Sequence, residues 1–164
     1  MMPTTVTVHA TVLDPQRALR VDVVTATGFG MTFDTDEAEA ERSGPGPTES
    51  VLAALAACTS MDVGAILRKK RQPAARYEIS VTAQKADAHP QVYTEIVIEH
   101  RVSGDVEPEA LRRSIELSAT SYCPVSAMLS RAVRIEHRYR LSKEGRDDVT
   151  ALVAITGPEG AQVL

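Results

Sequence analysis

The chain has 164 residues, which is enough for one domain whose core needs no disulfide or metal to fold. Hydrophobic residues make up 43 % of the chain and charged residues 24 %, so general disorder is excluded. A net charge of −4 and an aromatic content of 4 % disfavour a nucleic-acid-binding protein, because such a protein needs basic residues for phosphates and rings for bases.

The N-terminal part of the chain alternates polar and apolar residues, a pattern typical of half-buried strands. We predict strands over residues 5–12, 19–25 and 30–34. An acidic loop over 34–42 and a segment rich in glycine and proline over 43–47 then separate these strands from the next element.

From Thr48 onward, apolar residues recur every three or four positions, which predicts a helix from Thr48 to Lys70. Glu49 at its start and the basic residues 68–71 at its end complement the helix dipole, and Pro73 ends it. The helix is rich in alanine and apolar on nearly every side, so we expect it to be central and closely packed.

The second half predicts further strands and one interrupted helix. The helix begins at Pro108, runs to Tyr122 and is broken by Cys123 and Pro124, after which a short helical turn resumes toward Leu129. The strands are predicted over 77–84, 92–102 and 134–141, with an extra strand over 149–155 and a loose segment over 157–160.

Strands grouped in antiparallel hairpins, together with two helices, indicate an α+β fold. No linker or internal repeat divides the chain, so we predict one domain over 1–164. Its core spans 5–142, and 143–164 form a C-terminal extension. No stretch of 18 uncharged apolar residues and no secretory leader is visible, so we expect a cytoplasmic protein without a membrane partner, in which the cysteines are reduced.

Two cysteines are the main candidates for chemistry, and the residues alone leave two interpretations open. Cys58 lies on the inward side of the first predicted helix, and Cys123 lies at the break of the second. Free cysteines are often small buried hydrophobic residues. Alternatively, the two form a reactive thiolate and a resolving thiol. The thiolate needs a helix N-terminus or a nearby cation to lower its pKa, and Arg17 or Arg20 could supply the cation.

The histidines do not indicate a metal centre, because they are scattered and no two have the spacing of a zinc motif. Three of the four lie on predicted strands, where we expect solvated or cross-strand positions. A cysteine hydrolase that uses one of them stays open, although nothing selects a particular one. The four are His9, His89, His100 and His137.

Two segments carry a resemblance to a known family. Residues 46–63, GPTESVLAALAACTSMDV, resemble the first cysteine motif of the OsmC/organic hydroperoxide resistance superfamily. Residues 117–126, LSATSYCPVS, resemble its second motif. The separation of 65 residues between the two cysteines is similar to that of the family, and the resemblance extends from residue 5 to residue 142.

The resemblance implies a fold and an activity. The fold is an OsmC-like intertwined homodimer, in which curved antiparallel sheets wrap around two central helices. The activity is thiol-dependent reduction of organic hydroperoxides without a metal or prosthetic group. One cysteine attacks the peroxide and becomes a sulfenic acid, and a second condenses with it to a disulfide that an external dithiol reduces.

The resemblance also implies roles for particular residues. Cys58 matches the peroxidatic cysteine and Cys123 the resolving one. The activating arginine of the family falls on Arg17 or Arg20, with Arg17 preferred. Glu49 stands one residue later than the family's glutamate and is the candidate tether of that arginine.

The sequence therefore predicts a hydroperoxide reductase of the oxidative stress response. Its partners would be a second copy of the chain, an organic hydroperoxide and an external dithiol. The alternative keeps the fold without turnover: a protein that binds a small hydrophobic ligand or senses redox state.

Overall fold

The computed structural model describes residues 5–13, 19–35 and 41–164. The chain divides into two compact units, Met1–Val51 and Leu52–Leu164. The prediction of a single domain over 1–164 stays a prediction, and the two units are described in turn.

The first unit contains a three-stranded antiparallel sheet in the order β1-β2-β3. Its strands are β1 (Val8–Val12), β2 (Arg20–Thr25) and β3 (Gly30–Asp34). The turn between β2 and β3 places Gly28 at a φ of +87°, in the left-handed region that favours glycine. All three predicted strands are confirmed, although β1 begins three residues later than the alternation indicated.

Helix α1 (Pro47–Lys69) confirms the predicted helix and begins one residue earlier, because proline is well suited to the first helical position. Its buried residues are Leu55, Thr59, Val63 and Leu67, which repeat every fourth position and form one narrow stripe. Within one chain the helix is therefore packed along a single face rather than on nearly every side. Met61 lies away from the buried stripe and is 74 % exposed.

The second unit is built on a five-stranded sheet in the order β4-β5-β6-β7-β8. Its strands are β4 (Ala74–Lys85), β5 (Tyr93–Gly104), β6 (Arg134–Ser142), β7 (Val149–Gly157) and β8 (Gly160–Val163). Strands β5 and β6 pair in parallel, and the other neighbours pair antiparallel. The expectation of purely antiparallel sheets was therefore wrong for this one pair.

The physical reason is the long connection between β5 and β6. It contains α2 (Pro108–Leu117), a π-helical turn (Ser118–Tyr122) and α3 (Pro124–Leu129). A connection of this length with helices crosses back to the end of the sheet where β5 began, so the next strand runs in the same direction as β5. The predicted interruption of the second helix at Cys123 and Pro124 is confirmed.

The C-terminal segment is more ordered than the sequence indicated. The extra strand predicted over 149–155 is present as β7, but the segment over 157–160 is a tight turn and not a loose one. Gly160 has a φ of +108°, so the turn depends on a residue without a side chain. The turn leads into β8, an edge strand that we did not predict.

Helix α1 is long and apolar enough to meet the criteria for a membrane span, a finding that the sequence analysis did not predict. Among the described residues, α1 is the one helix that meets them. Only 22 % of its most apolar window is buried within the chain. A core helix of a soluble protein passes the same test, so the finding shows that α1 carries an extensive apolar surface.

Candidate functional site

A layer of buried polar residues divides the core of the second unit into two apolar clusters. One cluster contains Leu55 of α1, and the other contains Val63 and Leu67 of the same helix. Thr59 lies between them and is fully buried. Because the buried positions of α1 recur every fourth residue, the Thr59 hydroxyl lies on the buried face of the helix, between Leu55 of one cluster and Val63 of the other.

The sheet repeats this arrangement on its buried face. Along β5, Ile98 belongs to one cluster and Val102 to the other, with His100 between them. Along β6, His137 occupies the same kind of position, one alternation step from Ile135 of the first cluster. Both histidines are fully buried, so the expectation of a solvated position was wrong for these two, whereas a cross-strand position is confirmed for His100, which contacts Tyr77 of β4. Alternation alone does not say which face of a strand an imidazole belongs to.

The two cysteines meet at this polar layer. The Sγ atoms of Cys58 on α1 and Cys123 lie within 4.8 Å of each other. Cys58 is half-buried, whereas Cys123 is 3 % exposed. The hydroxyl of Thr59 donates to the Cys123 sulfur at 3.6 Å, which ties α1 to the second cysteine. The structure thus brings together two thiols that are 65 residues apart in sequence.

Local backbone chemistry explains the position of Cys123. Proline at the next position disfavours the helical conformation for the preceding residue. Cys123 is accordingly extended, with φ −73° and ψ 105°, and ends the π-helical turn. Its sulfur caps α3 by accepting the Ser126 backbone N–H at 3.3 Å. The Cys-Pro sequence therefore turns the thiol inward and holds it at the junction of two helical segments.

Asp62 is a third member of the site, and the sequence analysis missed it. It follows Cys58 by four residues on α1, which places both side chains on one face of the helix. A carboxylate oxygen of Asp62 lies within 4.8 Å of both sulfur atoms. The Ser118 hydroxyl donates to Oδ2 of Asp62 at 3.1 Å. The i, i+4 spacing to Cys58 is the signal that could have found it.

The electrostatic environment of Cys58 opposes thiolate formation. Burial raises the pKa of its thiol to about 11, and the hydrogen bond with Cys123 and the negative charge of Asp62 act in the same direction. The backbone N–H of Val125 acts in the opposite direction. At neutral pH the thiol is therefore almost entirely protonated in this environment, and a reactive thiolate requires a cation near it.

The two buried histidines are neutral. Burial lowers the pKa of His100 to about 3, with a further contribution from His137, and lowers that of His137 to about 4. The Tyr77 hydroxyl and Nδ1 of His100 are hydrogen-bonded at 2.7 Å, and the two rings stack. Among the residues that the structure describes, Nε2 of His100 and both ring nitrogens of His137 have no hydrogen-bond partner.

The remaining site candidates belong to the first unit or fall outside the described residues. Arg17 falls outside the described residues. Arg20 begins β2 and is exposed, and Glu49 is exposed in the first turn of α1; both belong to the first unit. The structure therefore brings together Cys58 and Cys123, with Asp62 added, and the roles of the arginines and of Glu49 stay predictions.

This arrangement has two chemical capacities. Two reduced thiols in proximity form a dithiol that can become a disulfide, once Cα and side-chain positions adjust to the required geometry. Among the residues that the structure describes, the two sulfur atoms and the Asp62 carboxylate also form a group of donors that could hold a metal ion.

Comparisons with known proteins identify the family of the chain. The family model described as "OsmC-like protein" matches residues 36–138. The protein YhfA of Escherichia coli K12 is 34 % identical over 117 residues, which cover 71 % of this chain and 85 % of YhfA.

Solved structures show the same fold. A hypothetical protein from Aquifex aeolicus VF5 has a TM-score of 0.74 at 27 % identity, with 87 % of this chain and 99 % of that chain covered. An organic hydroperoxide resistance protein OsmC from Legionella pneumophila has a TM-score of 0.61 at 12 % identity, with 87 % and 99 % covered, so it supports the fold alone. By its family match, and by the two cysteine motifs whose thiols the fold brings together, the chain belongs to the OsmC-like protein family.

Proposed function

We propose that the protein is a thiol-dependent peroxidase that reduces organic hydroperoxides through Cys58 and Cys123. The observation that carries the proposal is the separation of at most 4.8 Å between the two sulfur atoms. Both cysteines are free thiols, as a resting dithiol requires.

The proposed cycle has three balanced steps. The Cys58 thiolate attacks the peroxide, takes one oxygen to become a sulfenic acid, and releases the alcohol. The Cys123 thiol then displaces water from the sulfenic acid to form a disulfide. An external dithiol reduces this disulfide by exchange and is itself oxidised. Such a reductant fits the cytoplasmic location expected from the sequence, which stays part of the proposal.

The assignment of roles to the two thiols follows from their exposure. Cys58 is half-buried and therefore accessible to a peroxide, whereas Cys123 is nearly inaccessible. Cys123 also accepts hydrogen bonds from Thr59 and Ser126, which fix its sulfur beside Cys58. A fixed, shielded thiol that faces an accessible one suits the resolving role.

The surroundings of Cys58 support an organic peroxide as substrate. Leu52, Val125 and Leu129 are partly buried and pack against the same apolar cluster as Cys58. An alkyl group would gain roughly 0.8 kcal/mol for each methylene that it buries against such side chains. Hydrogen peroxide has no group that makes this contact.

The thiolate requires a cation that the second unit does not place near Cys58. Under the proposal, Arg17 or Arg20 supplies this cation and Glu49 orients it, as the family resemblance implies.

The apolar surface of α1 supports a homodimer. Within one chain, α1 leaves much of this surface uncovered, including Met61. A second copy of the chain is the partner we propose for that surface.

Two proteins of the same fold have names that agree with the proposed reaction class. Organic hydroperoxide resistance proteins from Legionella pneumophila and Elizabethkingia anophelis share the fold at 12 % and 15 % identity. The name of YhfA carries no activity. We therefore retain a second candidate function, in which the protein is not catalytic and senses redox state or binds a small hydrophobic ligand. The pKa of about 11 for Cys58 favours it, because an unactivated thiol does not turn over rapidly.

A peroxide-consumption assay with dithiothreitol separates these functions. The peroxidase proposal expects cumene and tert-butyl hydroperoxide to be consumed faster than hydrogen peroxide, and expects C58S to abolish turnover. If the parent protein consumes all three peroxides at the rate of C58S, the peroxidase proposal is wrong and the non-catalytic function is favoured.

A further inference from the structure

The two cysteines and Asp62 form a three-atom donor set that the peroxidase cycle does not account for. Their two sulfur atoms and a carboxylate oxygen all lie within 4.8 Å of one another. The proposed cycle uses the sulfur atoms and gives no role to the carboxylate. We propose that the reduced protein binds one Zn²⁺ ion per chain through Cys58 Sγ, Cys123 Sγ and an Asp62 carboxylate oxygen.

The donor types and their spacing suit zinc. Thiolate and carboxylate are both accepted zinc ligands, with bonds of ~2.3 Å to sulfur and ~2.0–2.2 Å to oxygen. Tetrahedral geometry then sets the ligand atoms about 3.5–3.8 Å apart. Donors that already lie within 4.8 Å need to move by only about 1 Å, which side-chain rotation supplies. Three protein ligands leave the fourth position for water, as in open zinc sites.

The groups around the donors hold them in place. The Ser118 hydroxyl donates to one oxygen of Asp62 at 3.1 Å, which leaves the other oxygen for an ion. The Ser126 backbone N–H donates to the Cys123 sulfur at 3.3 Å. Partners of this kind orient metal ligands, and their loss typically weakens metal affinity 10–100-fold.

The charge of the site also calls for a cation. Within the part of the chain that the structure describes, no lysine, arginine or histidine forms an ion pair with Asp62. Binding of Zn²⁺ would deprotonate both thiols and bring three negative ligands around a doubly charged ion. The net charge of the occupied site, with both thiols deprotonated by the ion, would be −1.

Zinc and peroxide would exclude each other, and this consequence alone rests on the proposed peroxidase function. Both thiols are engaged when the ion is bound, so the bound form has no free nucleophile. Peroxide would react with the metal-free dithiol in equilibrium with the bound form: two thiols and one hydroperoxide give a disulfide, the alcohol and water, and the ion dissociates as the dithiol is consumed. The site would therefore bind zinc only in the reduced protein and release it on oxidation.

Metal titration tests the proposal directly. Reduced protein, freed of metal with a chelator, is titrated with Zn²⁺ against a chromophoric competitor, and in parallel with Co²⁺. We expect one ion per chain, sulfur-to-cobalt charge-transfer absorption from two thiolates, and protection of both thiols from a disulfide reagent. Disulfide-oxidised protein should not bind. Binding by the oxidised form, or cobalt absorption without a sulfur contribution, would overturn the proposal without needing any variant.

Variants then assign the ligands. C58S and C123S should each lose more than about 100-fold in affinity, and D62N about 10–100-fold. D87N changes an exposed carboxylate in the β4–β5 loop and is the matched control that should keep the parent affinity. Affinity that D62N does not reduce, in protein with a parental circular dichroism spectrum, excludes Asp62 and overturns the site as proposed. Peroxide turnover by the metal-free parent is a separate readout, so failure of the zinc site and failure of the peroxidase are distinguished.

Discussion

Lowering the pH from 8 to 5 should destabilise the protein through its two buried histidines. His100 and His137 are fully buried between the two apolar clusters, and burial keeps both neutral in the folded state. In the unfolded chain each takes up a proton near the ordinary histidine pKa of about 6.5. The unfolded state therefore binds more protons over this range, and the free energy of unfolding falls as the pH drops below about 6.5.

The magnitude follows from the folded-state pKa values of about 3 for His100 and about 4 for His137. At pH 5 each histidine is neutral when folded and mostly protonated when unfolded. Each therefore removes about 2 kcal/mol from the free energy of unfolding relative to pH 8, and the pair removes about 4 kcal/mol. Typical domains have only ~5–15 kcal/mol in total, so the loss is large enough to measure.

The assay is urea unfolding of the reduced, chelator-treated protein at pH 8 and pH 5, at one fixed protein concentration. H137L removes one of the two titrating groups without breaking a hydrogen bond to a described residue, so its stability at pH 8 should stay close to that of the parent. Its loss between pH 8 and 5 should be smaller by about 2 kcal/mol.

H9Q changes an exposed histidine on β1 and serves as the matched control that keeps the parental loss. Because carboxylates also titrate over part of this range, the comparison between H137L and H9Q isolates the buried pair. Equal pH dependence in the two variants would refute the reasoning.

Three further predictions concern the thiols and the apolar helix. C123S should consume about one equivalent of organic peroxide to form a sulfenic acid on Cys58, and a second equivalent should convert it to a sulfinic acid that mass spectrometry detects, whereas continued turnover would exclude the resolving role. In metal-free protein, D62N should lower the pKa of Cys58, because the Asp62 charge raises that pKa. Cys58 of D62N should therefore be alkylated faster at pH 8 than Cys58 of the control D87N, and an unchanged rate would contradict this electrostatic account. Light scattering without detergent should give about twice the chain mass of 17.7 kDa, and M61E on the exposed face of α1 should shift it toward one chain; a folded parent of 17.7 kDa would contradict the dimer.

Much of the fold could be predicted because its periodicities are local. The alternation in β2 and β3, the three- and four-residue spacing in α1, and the break imposed by Pro124 are all read from neighbouring residues. The parallel pairing of β5 with β6 was not predicted, because it depends on where a 29-residue connection returns the chain. The edge strand β8 was missed because its four residues are exposed and carry no buried face.

The site was predictable in part for a similar reason. The cysteine motifs are sequence features, so Cys58 and Cys123 could be singled out before their thiols were seen together. Asp62 was missed because a carboxylate on an amphipathic helix is ordinarily a solvated residue, and only the packing of Ser118 against it shows otherwise. The burial of His100 and His137 was not predicted, because strand alternation gives two faces and does not say which one is buried.

The central claim is that Cys58 and Cys123 act as one redox pair, and peroxide titration followed by intact and peptide mass spectrometry tests it most directly. One equivalent of cumene hydroperoxide, added to reduced, metal-free protein, should remove two hydrogens from each chain. Non-reducing digestion should then show the peptides of Cys58 and Cys123 joined within one chain, and dithiothreitol should restore both thiols. A Cys58 that gains two oxygens while Cys123 stays free, or a protein whose mass does not change, would contradict the account.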